Sequence, residues 1–203
     1  VKTISVCTPT WRRPNLLFGR CIPSIQAQDY EGRVEHVIVS DGPDPELASW
    51  FEGSILASTP RYAELPEHPA GPSYGHYARM RAIELATGEY VAYLDDDDAF
   101  RPGHCRLLAA ALDANPDAGF AVSQMLQHQF PPGKVAIIGR GAWRAENVGT
   151  PMIVHRRETL EHGTWGPPGK VMDWEIVERW LGAGVRGVAV NEMTVDAWPS
   201  MFR

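Results

Sequence analysis

The residues densest in potential chemistry are four consecutive aspartates, Asp95 to Asp98. They follow directly on the apolar stretch Tyr90-Val91-Ala92-Tyr93-Leu94, which reads as a buried strand delivering them to its carboxyl end. In an extended segment successive side chains alternate, which puts Asp95 and Asp97 on one side and Asp96 and Asp98 on the other. Carboxylates packed this way repel: at ~4 Å and an effective dielectric of ~20, a pair costs about 4 kcal/mol. Protonation or a cation must relieve that repulsion. A hard divalent ion, Mn2+ or Mg2+, prefers carboxylate oxygen and keeps positions open for phosphate oxygens. The place agrees, because open α/β sheets bind ligands beyond the carboxyl ends of their strands. The plainer alternative is a solvated acidic turn ahead of the helix opened by Pro102, with Asp98 assisting its N-terminus. Asp41 and Asp44, which flank a Gly-Pro turn at the end of a neighbouring strand, favour the metal site.

The elements that must position these acids follow from local pattern. Thr3 to Thr8 is β-branched and apolar and reads as a strand stopped by Pro9. Pro14 suits a first helical turn, and Leu17, Cys21 and Ile25 recur at helical spacing. Glu35 to Ser40 is a second strand closed by Asp41-Gly42-Pro43-Asp44, and residues 46 to 52 form a short helix. Prolines 60, 66, 69 and 72 leave residues 59 to 73 mostly loop, with a short strand near Tyr62 to Leu65. Tyr77 to Ala86 is a helix ended by Gly88. After Pro102 a helix carries Leu107, Leu108, Ala111 and Leu112 and stops at Asn115-Pro116. This alternation is that of an α/β domain with a largely parallel sheet.

The second half is less regular. Gly119 to Gln127 and Lys134 to Ile138 read as a hairpin, Met152 to His155 as a strand, and 157 to 162 as a short helix. Met172 to Leu181 is a helix with Ile176, Val177, Trp180 and Leu181 inward; Val185 to Val190 and Met193 to Trp198 would complete the sheet.

A chain of 203 residues with 44% hydrophobic residues buries one substantial core, so a single domain is expected. The formal charge of -6, from 19 Lys and Arg against 25 Asp and Glu, argues against nucleic acid as a partner. Cys7, Cys21 and Cys105 are too far apart for zinc spacing and odd in number, which fits reduced thiols in the cytoplasm. No run approaches the ~18 apolar residues of a membrane span, and no signal-peptide pattern opens the chain.

Four pieces in order resemble glycosyltransferase family 2, the inverting enzymes of the GT-A fold. They are Ser5 to Arg13 (SVCTPTWRR), Val37 to Gly42 (VIVSDG), Ala86 to Asp98 (ATGEYVAYLDDDD) and Met172 to Glu175 (MDWE). The resemblance implies a nucleoside diphosphate sugar as donor and a divalent cation as cofactor. Residues 1–115 would form the nucleotide-binding half and 116–203 the acceptor-binding half. It further implies that Thr8, Pro9, Thr10 and Arg12 after the first strand, with Asp41 after the second, hold the nucleoside. Asp95 to Asp97 would be the DXD region, Asp97 and Asp95 being metal ligands and Asp96 facing the ribose hydroxyls. Arg79 and Arg81 would approach the diphosphate. Asp173 would be the general base, with Glu175 in reserve. Met172 stands where the family has a glutamate and Met80 where it often has an asparagine. Many relatives supply a further metal ligand late in the chain, and Asp196 is the nearest oxygen donor there.

Two other functions compete. A sugar-phosphate nucleotidyltransferase needs a glycine-rich phosphate loop after the first strand, which Pro9 to Arg13 does not provide. A catalytically inactive nucleotide-sugar-binding protein remains compatible with Met172.

Overall fold

Strand β1 (Ile4–Thr10) is buried along its whole length, as an uninterrupted β-branched and apolar run requires when both faces of a sheet are covered. In the computed structural model it is flanked by two parallel neighbours, β2 (Val34–Ser40) and β4 (Tyr90–Tyr93), and β3 (Arg61–Glu64) adds to β2, also parallel. The structure describes residues 1–52, 60–71, 73–129, 132–166 and 172–198.

Beyond β4 the direction changes. Strand β8 (Ile153–Arg156) runs antiparallel to β4, and β6 (Ala118–Gln129) antiparallel to β8. Strand β9 (Arg186–Ala197) is parallel to β6, and the two-residue β5 (Ala99–Phe100) is antiparallel to β9. Strand β7 (Lys134–Ile138) forms the expected hairpin with β6. The sheet order is therefore β3-β2-β1-β4-β8-β6-β9-β5. The result is an α/β fold whose parallel part carries the first half of the chain.

Helical segments cover the sheet. α1 (Pro14–Leu16), a π-helical turn (Leu17–Cys21) and α2 (Ile22–Gln26) follow one another after β1, with Leu17, Cys21 and Ile25 buried. α3 (Pro45–Glu52) follows β2, with the Leu47 amide donating to Asp44 Oδ1 at 3.1 Å in the manner of a cap. α4 (His76–Leu85) packs on β1 and β2, and α5 (His104–Ala114) on β6 and β9. α6 (Met172–Gly182) buries Ile176, Val177 and Trp180. Among the described residues no helix is long and apolar enough to cross a membrane.

Four local expectations are corrected. Pro9 does not stop β1, which continues to Thr10. Cys7 turns its carbonyl to β4, where it accepts from Leu94, so Pro9 turns the same way to a level where β4 has already ended, and its missing N–H costs no ladder bond. Gly88 is not a helix cap: a Cβ there would stand 2.7 Å from the Thr3 carbonyl and 2.8 Å from the Ser5 nitrogen, so the residue is small to let the chain pass against β1. Leu181 is 40% exposed, because the chain reverses after it and the Val185 amide donates back to the Trp180 carbonyl. The last two expected strands are one, β9, whose pairing with β6 jumps from Val122↔Ala189 to Gln124↔Met193 through a bulge.

Candidate active site

Parallel register decides what meets at the carboxyl edge of the sheet. Thr10 pairs with Ser40, and Cys7 with Tyr93, so the residues after these strands, Trp11 to Arg13, Asp41 and Asp95 to Asp98, emerge side by side. All of these but Asp96 border a cleft of about 520 Å³.

The four aspartates have four different environments. Asp96 is fully buried: Thr10 Oγ1 donates to its Oδ2 at 2.7 Å, and Arg13 Nη2 stands 2.6 Å from Oδ1. The same guanidinium reaches Asp97 Oδ2 through Nη1 at 2.8 Å. Arg79, only 2% exposed, donates to Asp95 Oδ1 at 2.8 Å, while its Nε and Nη1 have no protein partner. Asp98 accepts the Trp198 backbone N–H at 3.0 Å. Strict alternation fails here for a physical reason. The Asp98 amide donates to the Asp95 carbonyl at 3.1 Å, closing a turn that brings Asp98 back beside Asp95 and Asp97.

One oxygen each from Asp95, Asp97 and Asp98 lie within 4.8 Å of one another. Burial pushes the carboxyl of Asp96 up to about 7 against the pull of Arg13 and Thr10, and burial followed by the neighbouring carboxylates raises Asp97 and Asp98 as well. Protons are thus held where the negative charge is not fully compensated, which is the electrostatic condition a cation relieves. Three oxygen donors from carboxylates suit a hard divalent ion.

At the other end of the cleft Asp41 is 4% exposed. Ser73 Oγ donates to its Oδ2 at 2.5 Å, and Oδ1 is buried without a partner. The Trp11 indole stacks on the His68 ring with centroids 4.3 Å apart and planes 8° apart. His68 Nδ1 lies 2.5 Å from the Asp41 carbonyl oxygen, so this nitrogen is the protonated one. Gly42, at φ +146°, is required beside this pair, since a Cβ would come within 2.9 Å of both rings' residues. Arg12 adopts φ +53°, its amide held by Asp44 Oδ2 at 3.2 Å and its guanidinium carbon 4.7 Å from the Trp11 ring.

Asp173, on the first turn of α6, accepts a hydrogen bond from Thr150 Oγ1. Its carboxyl is raised by burial, while Thr150 and Arg79 pull it down and Asp95 pushes it up; the Arg79–Asp95 pair is therefore within its electrostatic reach. Glu175 lies half-buried further along α6, its Oε2 beside Gly166.

Of the residues expected from sequence, Pro9, Thr10, Arg12, Asp41, Asp95 and Asp97 border the cleft, with Asp96 and Arg79 immediately beneath it. Thr8 is not there. It lies two residues deeper in β1, fully buried, 2.9 Å from His36 Nε2 and in contact with Cys21. Asp196 is also elsewhere: Arg101 grips it at 2.6 and 2.9 Å and His128 Nε2 stands 3.1 Å away. Arg81 pairs with Glu84 on the outer face of α4. Arg13, His68, Ser73 and Trp198 are cleft residues to which sequence reading gave no role, and Asp98, expected on the side of Asp96, lines the cleft with Asp95 and Asp97 instead.

A family model described as glycosyl transferase family 2 matches residues 5–130, more than half of the chain. The chain belongs to glycosyl transferase family 2. Over 117 residues it is 31% identical to a glucosyl-dolichyl phosphate glucuronosyltransferase of Haloferax volcanii, covering 57% of this chain and 35% of that protein. Over 110 residues it is 34% identical to the putative colanic acid biosynthesis glycosyl transferase WcaA of Escherichia coli, covering 53% and 37%. The matched stretch thus spans about a third of either relative. Among solved structures, S. aureus TarS 1-349 superimposes with a TM-score of 0.74 at 17% identity, over 98% of this chain and 60% of that one. The mannosyltransferase PcManGT of Pyrobaculum calidifontis, solved with GDP-Man and Mn2+, gives 0.71 at 18% identity, over 98% and 57%. These structural likenesses place the family 2 chain in the GT-A-like α/β fold.

Proposed function

We propose that this chain is the catalytic core of an inverting glycosyltransferase that takes its sugar from a nucleoside diphosphate donor with the help of Mn2+ or Mg2+. The observation that carries the reading is one cleft holding three clustered carboxylates at one end and the Asp41 pocket at the other. It is supported by relatives whose structures contain UDP-GlcNAc, in TarS, or GDP-Man and Mn2+, in PcManGT.

In this reading Asp95, Asp97 and Asp98 hold the cation, which when bound supplies positive charge to the leaving diphosphate. Asp196 is not a ligand. Asp96 is the buried anchor of the turn, and the ribose is left to the open side of the cleft. Asp41 Oδ1, unpartnered and buried, accepts an N–H of the base, and the Trp11–His68 pair forms the adjoining wall. Arg12 and Arg79 add positive charge near the phosphates. Asp173 takes the proton of the acceptor hydroxyl as that oxygen bonds to the anomeric carbon and the carbon–phosphate-oxygen bond breaks; burial makes its carboxylate a stronger base. Displacement from the face opposite the leaving group inverts the anomeric centre. Residues 1–115 serve the donor and 116–203 the acceptor, and three buried free thiols suit a reducing compartment, the cytoplasm.

Calorimetric titration with UDP and GDP, with and without Mn2+, tests the site. Metal-dependent nucleotide binding is expected. Binding indifferent to Mn2+ counts against the scheme, and consumption of a nucleoside triphosphate with a sugar 1-phosphate would replace it by nucleotidyl transfer.

A further inference from the structure

The end of β9 is tied to the acid turn more tightly than strand pairing alone requires. Pairing of Ala99 with Asp196 carries the next residues of β9 back along the turn, so Trp198 arrives beside it. There the Trp198 backbone N–H donates to Asp98 Oδ1 at 3.0 Å. Its indole lies parallel to the His128 ring, with centroids 4.5 Å and planes 3° apart. The Arg20 guanidinium carbon stands 3.8 Å from the same indole, and Arg20 Nη1 donates to the Asp97 carbonyl at 2.5 Å. His128 is fixed in turn by Asp196, 3.1 Å from its Nε2. Trp198 itself borders the cleft.

We propose that Trp198 is a positioning residue for the metal site, holding Asp98 in the orientation in which it joins Asp95 and Asp97 around one cation. The proposal rests on the metal-binding reading above. Its physical basis is repulsion: Asp98 sits within 4.8 Å of two other carboxylates, and without an anchor it would rotate away from them. The backbone N–H supplies the anchor, and the two planar groups against the indole fix where that N–H lies. Outer-shell partners of this kind are worth roughly 10–100-fold in metal affinity.

The test is Mn2+ binding to the nucleotide-free protein, by calorimetry and by the electron paramagnetic resonance signal of bound Mn2+, in wild type, Trp198→Ala, Trp198→Phe and Asp98→Asn. Trp198→Ala should weaken binding roughly tenfold. Trp198→Phe, which keeps a ring between Arg20 and His128, should bind close to wild type. In a transferase assay the Trp198→Ala defect should be restored by saturating Mn2+, leaving kcat unchanged. Adding Trp198→Ala to Asp98→Asn should cost nothing further. Wild-type affinity in Trp198→Ala beside a weakened Asp98→Asn would overturn the proposal, as would equal losses in the Ala and Phe variants. If Trp198→Ala does not fold, His128→Ala removes one side of the stack without touching the acid turn and should give the same weakening; its binding at wild-type strength overturns the proposal. Absence of Mn2+ binding in the wild type is a different result, and sinks the metal-site reading itself.

Discussion

Arg13 and Asp96 meet at 2.6 Å, the carboxylate fully buried and the guanidinium about one quarter exposed. Removing one partner of a buried pair costs about 3–5 kcal/mol, less here because Arg13 keeps some water and Asp96 can protonate. Arg13→Gln should therefore destabilise the fold by about 2–3 kcal/mol, read as a fall in Tm of roughly 5–10 °C. Asp96→Asn added to it should recover part of the loss. An unchanged Tm in Arg13→Gln would show that the pair does not hold the turn.

The raised carboxyls give a stability prediction with a definite sign. Asp96 sits at about 7 in the folded chain against 3.8 for an ordinary aspartate, so the fold favours its protonated form. That contribution is complete below 3.8 and is lost as pH rises through about 7; Asp97 and Asp98 act in the same direction. In EDTA, Tm should fall between pH 5 and pH 8, a window chosen inside and just above that range. Saturating Mn2+ should flatten the fall, because the ion takes over the work of the protons. A Tm in EDTA that climbs across the same window contradicts this.

Asp173→Asn keeps the shape and the bond to Thr150 but cannot accept a proton. Transfer should drop by about 100 to 10,000-fold with nucleotide and Mn2+ affinity unchanged. In the native chain, the acidic limb of the pH–rate profile should lie above 3.8, since burial raises this carboxyl. If Glu175→Gln abolishes transfer and Asp173→Asn does not, the base has been misassigned.

At the nucleoside end, Asp41→Asn replaces a charged acceptor by a neutral one and should weaken nucleotide binding roughly ten- to hundredfold. Gly42→Ala should weaken it too, for another reason. The added methyl collides at 2.9 Å with Trp11 and with His68 in a backbone conformation that disfavours alanine, and the two rings must part. Nucleotide calorimetry on both variants decides this; wild-type affinity in Gly42→Ala would mean the Trp11–His68 wall plays no part.

What the sequence made legible was local. The β4 strand, its acidic end and the Asp41 turn are each written in consecutive residues, and parallel neighbours put their ends together. Arg13 was hidden because it binds across the fold, its partner Asp97 lying 84 residues away in the chain and Asp96 beside that. His68 sits in a proline-rich loop without periodicity, and nothing in its surroundings signals a stack on Trp11. Asp98 was sent to the wrong side because alternation was carried one residue past the point where the chain turns. Thr8 shows the reverse error: the motif marked it, but the sheet covers it. Asp196 had the right chemistry and the wrong neighbour, an arginine that only the β5–β9 pairing brings within reach.

The turn from Asp95 to Asp98 works as a phased device. Its second carboxylate faces inward to Thr10 and Arg13 while the first, third and fourth face a common point, so side chain and spacing are inseparable. Because the four residues are alike, deleting any one of them leaves the same shortened run: the second position, the buried seat, stays an aspartate, and one of the three clustered carboxylates is lost. Shortening this bend therefore takes an acid from the cleft and leaves the anchor beneath it in place.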